Sequence, residues 1–174
     1  MANQNAPFGL RPIGKIGQNR DNQGLSEYSI KANDTTSIFF QDVVNATADG
    51  TVHLGAASEA FMVGSLNGVF FTDPTTSKPT FKNSYSQVNA SDIVAFVADD
   101  PYERFEIQSD NTLASAQTDV LTTQLDDSTV TTGTAQVKVT GVSTDIKNND
   151  LSSSHVNFVV MINEHLYNAK NNGI

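Results

Sequence analysis

The sequence contains no cysteine and no tryptophan, and it has only three histidines and five prolines in 174 residues. Without cysteine there is no disulfide framework, no thiolate nucleophile, no cysteine-ligated zinc and no iron–sulfur cluster. Charged residues are sparse, at 17%, and the hydrophobic share of 38% is below the usual globular value. No apolar run approaches the roughly 20 residues that a membrane helix needs. The start, MANQNAPFGL, lacks the basic and apolar pattern of a secretory signal. The missing share is polar: Ser, Thr and Asn fill 51 positions. These residues suit turns, strand faces and bonds from side chain to backbone better than helix interiors. Ten basic residues against nineteen acidic ones give a net charge of −9, which disfavours nonspecific contact with phosphate backbones. The composition points to an acidic, mostly β protein with no nucleic-acid or membrane partner.

The first 24 residues differ from the rest. They carry Pro7, Pro12 and four glycines, with no period of 3.6 or 2, and three of the ten basic residues. Fully extended, they span up to about 80 Å. Phe8, Leu10 and Ile13 are apolar residues that a solvated tail does not need. We therefore read residues 1–24 as an extended arm that orders against something, and 25–174 as a β-rich body. Strand patterns begin after Gly24. In SEYSIKA, Tyr28, Ile30 and Ala32 share a face, and SIFF (37–40) and DVVNA (42–46) follow. The turn Ala48-Asp49-Gly50 leads into TVHL (51–54), as in a hairpin. AFMVGSLNGVFF (60–71) is apolar but interrupted by glycines, which favours strands over a helix. Residues 73–79 read as a loop. DIVAFVA (92–98), ERFEIQSD (103–110), AQVKVTGV (135–142) and HVNFVVMINEH (155–165) complete the series. In ERFEIQSD, alternation turns Phe105 and Ile107 inward and Glu106 and Gln108 outward. Residues 111–134, rich in Thr, Ser, Asp and Gln, read as a long loop. Short strands at this spacing predict an all-β sandwich or barrel-like body.

Coherent chemistry is hard to find. His155 and His165 flank the last strand without a His-Glu-x-x-His pattern, and His53 stands alone. Asp99-Asp100 precedes Pro101 and suits a turn, while Asp126-Asp127 falls in the Thr-rich stretch. Adjacent residues on a strand point to opposite faces, so neither pair shares a substrate without a bend. No Walker loop, dinucleotide loop, Gly-x-Ser-x-Gly elbow or EF-hand loop occurs. We expect no enzymatic activity, no cofactor and no required metal.

The opening Met1–Pro12 (MANQNAPFGLRP), the Asp99–Pro101 element with the Phe105–Gln108 strand, the glycine–aromatic segment 64–71, Phe81-Lys82, and Ile162–His165 stand in an order that resembles the structural cement (head decoration) proteins of tailed bacteriophages. The similarity spans most of the chain and departs from that family over residues 111–134. The resemblance implies a non-enzymatic virion protein on the outer surface of the icosahedral head, cementing neighbouring copies of the major capsid protein, with homotrimers as the common form. The arm would then carry the capsid contacts. Arg11 is the expected charge-assisted grip, Phe8 the apolar anchor, Leu10 and Ile13 its apolar neighbours, and Pro7 and Pro12 the residues that keep it extended. Two other readings remain open, a tail or fibre component and a carbohydrate-binding β-sandwich module.

Overall fold

The computed structural model describes residues 2–17, 24–56, 59, 61–110 and 136–168. Its strands, in chain order, are β1 (Arg11–Lys15), β2 (Ser26–Ile30), β3 (Val43–Ala46), β4 (Thr51–Leu54), β5 (Gly64–Thr72), β6 (Pro79–Lys82), β7 (Val94–Ala98), β8 (Glu103–Gln108), β9 (Val137–Val142) and β10 (Asn157–Ile162). No helix occurs among the described residues, so the all-β expectation holds.

The larger sheet runs β3-β4-β2-β7-β5-β6, and β3 also pairs with β5. That extra pairing closes five strands into a small barrel and leaves β6 attached to its outside. Period-2 alternation fills the barrel interior: Val44, Val52, Leu66, Val69, Phe71, Ala95 and Val97 are all buried there, with Ile38, Tyr85 and Ile93 packed among them. A bulge at Asn67 between Leu66 and Gly68 adds one residue to β5, so that Leu66 and Val69 can both point inward.

The smaller sheet runs β1-β8-β10-β9, antiparallel throughout. Phe105, Ile107, Val137, Phe158, Val160 and Ile162 pack from this sheet against Val43, Met62 and Ala98 of the barrel side, forming a second core between the two sheets. The expected inward facing of Phe105, Ile107, Phe158, Val160 and Ile162 is therefore observed, and Val156 joins them. The hairpin turn before Thr51 is present as well, with Gly50 at φ 78°.

Several expectations need correction. Of the expected arm, residues 2–17 lie along the body. Leu10 is 1% exposed in the intersheet core, and Arg11–Lys15 is an edge strand of the smaller sheet. SIFF is not a strand: only Ile38 bridges, to Tyr85, before Gln41 turns the chain at φ 66°. Pro79–Lys82, which begins at the last residue of the expected 73–79 loop, is a strand in which Phe81 pairs directly with Phe70. Residues 111–134 lie outside the described residues.

Candidate interaction surface

The N-terminal segment is held by polar side chains of the body. Asn3 donates from Nδ2 to the carbonyls of Asp150 (2.8 Å) and Ser154 (2.9 Å). Gln108 accepts from the Ala6 N–H at 2.9 Å and donates to the Gln4 carbonyl at 3.0 Å, while Asn148 donates to that same carbonyl at 2.7 Å. Gly9, at φ 84°, rests where a Cβ would come within 2.6 Å of the Gln41 carbonyl oxygen, and the Leu10 N–H donates to that oxygen at 2.8 Å. Glu106 and Gln108 do face away from the core, as alternation requires, but this segment and β1 cover them, and they are only 5% and 1% exposed.

The six residues singled out in the arm therefore fare differently. Leu10 is a core residue. Arg11 pairs with the Glu106 carboxylate, and its guanidinium lies 4.4 Å from the centre of the Phe8 ring, so Arg11 and Phe8 satisfy one another within the chain. Pro12 is half-buried opposite Phe105. Pro7 is exposed, and Ile13, 40% exposed, sits at a bulge between Pro12 and Gly14.

A second surface was not legible as a unit in the sequence. On β5 and β6, Phe70 and Phe81 are directly paired and so share the outer face of the barrel wall. Phe96 pairs with Gly68 on that same face, and its ring centre lies 6.2 Å from that of Phe81. A Cβ on Gly68 would come within 2.5 Å of the Phe81 ring, so glycine is what lets the ring lie against the sheet. Phe70 and Phe81 remain 40% and 57% exposed. Leu10 and the intersheet core meet this wall at Ser65 and Ala98, and the three phenylalanines are not part of that core. Residue type hinted at such a surface, but the pairing that gathers it comes from strands far apart in sequence.

The titratable groups divide into small local sets. Asp99 accepts from Ser26 Oγ at 2.7 Å and from the Tyr28 hydroxyl, whereas Asp100 pairs with Lys15 Nζ at 2.7 Å, so the two adjacent acids serve different partners. Burial and the Asp99 carboxylate push the Tyr28 phenol well above its ordinary range. His53 Nε2 lies 2.6 Å from Glu59. Burial works against the Glu59 carboxylate, but the Ala56 N–H, Asn45 and His53 outweigh it and hold the group below its ordinary value. His165, just past the end of β10, is fully buried beside Met62, and that burial lowers its pKa. No cluster of three or more His, Asp or Glu suited to a metal occurs among the described residues. Compared with known proteins, the chain matches no family model, no curated protein and no solved structure.

Proposed function

We propose that this chain is a non-enzymatic virion structural protein that binds the outer surface of an icosahedral phage head and cements neighbouring major capsid protein subunits. Its ordered likeness to the cement proteins, from Met1–Pro12 to Ile162–His165, supports the reading. The observation that carries it in three dimensions is the face formed by the exposed Phe70 and Phe81 with the half-buried Phe96 beside them. Exposed aromatics gathered on a rigid wall are what a protein contact needs for a desolvated centre. Phenylalanine has no polar edge with which to read a sugar, so a protein surface suits this face better than a glycan. On this reading the barrel wall, more than the N-terminal segment, supplies the apolar contact, and repetition over a lattice multiplies a modest single-site affinity.

Cosedimentation with expanded heads tests the proposal. Phe70→Ser combined with Phe81→Ser should leave the melting temperature near that of the parent and lower head occupancy at least tenfold. Unchanged occupancy by the folded double variant would remove this face from the proposal, and failure of the parent to cosediment would remove the proposal itself.

A further inference from the structure

Where β2 begins and β7 ends, the surface opens into a shallow cleft of about 410 Å³ lined by Ser26, Asp99, Asp100, Lys15 and Tyr167. The hydroxyl groups around it are ordered by their protons. Tyr28 donates to one Asp99 carboxylate oxygen, and Ser26 Oγ donates to the other at 2.7 Å. Burial and the Asp99 bond keep the Tyr28 phenol protonated. That hydroxyl has a single proton, so the Tyr167 hydroxyl, 2.9 Å away, donates to it. All three protons thus run toward Asp99, and Ser26 and Tyr167 have only lone pairs left for the cleft.

The charges are unequal as well. Lys15 Nζ neutralises Asp100 at 2.7 Å, whereas no cation forms an ion pair with Asp99 among the described residues. A carboxylate offers about four lone-pair directions, and Ser26 and Tyr28 take two of those on Asp99. Tyr167 is fixed from both ends. Its N–H donates to His165 Nδ1 at 3.0 Å, and its ring centre lies 5.7 Å from that of His165. The residue nevertheless stays 54% exposed.

We propose that this cleft binds the guanidinium group of an arginine side chain from a partner protein, stacked on Tyr167 and hydrogen-bonded to Asp99. The inference goes beyond the functional reading above and does not depend on it. A guanidinium is cationic and planar, with five N–H donors and no acceptor. It therefore complements a cleft that presents lone pairs, one unneutralised carboxylate and an exposed phenol ring. A lysine ammonium brings the charge but is more strongly hydrated and has no plane to stack. Sugar hydroxyls bring lone pairs of their own, and only the Lys15 ammonium has protons to offer them. The net charge of −9 favours the approach of a cation.

Amide chemical shifts of the full chain, titrated with acetyl-arginine amide at fixed ionic strength, read the site. Saturable shifts should centre on Ser26, Asp100 and Tyr167, and added sodium chloride should weaken the binding. Acetyl-citrulline amide, which has the same shape without the charge, should bind about fivefold more weakly or worse. Asp99→Asn should lose a similar factor, and Tyr167→Leu, made at an exposed position, about threefold. Near-UV circular dichroism checks that both variants keep the parent fold. If Asp99→Asn unfolds, Tyr167→Leu decides, and unchanged affinity in that folded variant would overturn the proposal. The absence of saturable shifts, or equal affinities for the arginine and citrulline probes, would overturn it too. A neutral methyl glycoside that moves these amides when the arginine probe does not would make the cleft a sugar site instead.

Discussion

Arg11 on β1 and Glu106 on β8 stand directly opposite each other, and their ion pair spans the junction of the two strands. The Glu106 side chain is 7% exposed, while that of Arg11 keeps 44% of its surface in solvent. Arg11 thus acts as the solvated partner of a buried carboxylate. It is also the residue whose sequence context suggested a grip on another protein.

Removing the Arg11 guanidinium should therefore destabilise the fold before it affects any partner. Arg11→Ala should cost about 1–3 kcal/mol, less than a fully buried pair because Arg11 is half in water. Glu106→Gln in the same chain should recover part of that loss, since a neutral amide is cheaper to leave there. Urea unfolding of both singles and the double measures the coupling. Additive losses would show that the pair contributes nothing.

Gln108 holds the N-terminal segment through two hydrogen bonds to its backbone. Gln108→Ala should cost about 1–3 kcal/mol by removing both bonds, with the Gln4 carbonyl still held by Asn148. The Ala6 amide should then exchange with solvent faster than in the parent, while amides of β10 change little. Hydrogen exchange with peptide-level readout separates this local release from global loosening.

Phe158 is 2% exposed in the intersheet core, packed with Phe105 and Ile107. Phe158→Ala should cost about 3–5 kcal/mol, a large part of a typical domain's stability. A melting temperature equal to the parent's would contradict the packing described above.

Acid and base should act on Glu103 in a defined direction. Burial raises its folded pKa above the ordinary carboxylate value, so its contribution is fully present below the unfolded pKa and is lost as pH rises through the folded one. Glu103→Gln removes that loss and should gain stability relative to the parent as pH rises from the carboxylate range to neutrality. Asp100 has the opposite sign: Lys15 and the Tyr102 N–H outweigh burial and lower its pKa, so its contribution fades as pH falls. Unfolding curves across pH 3–8 for the parent and Glu103→Gln give the difference, and a difference flat in pH would exclude burial of Glu103 as its source.

The sequence by itself determined the all-β class, most of the strands and the inward faces of β8 and β10. Alternation is local information: with a period of 2, a run such as Val156, Phe158, Val160, Ile162 has only one face that can leave water. The hairpin before Thr51 was legible for the same reason, because its Asp-Gly turn chemistry lies within a few residues. Only the tertiary structure decided what covers a strand's other face. Gln108 looked solvent-facing until residues 4 and 6 were laid across it, and Glu106 until Arg11 paired with it, and both partners lie about a hundred positions away in the chain. The closure of β3 on β5, the entry of Leu10 into the core and the gathering of Phe70, Phe81 and Phe96 have the same origin. Each depends on pairing between distant segments, and a polar residue next to an apolar one carries no local mark of whether water or another strand will meet it.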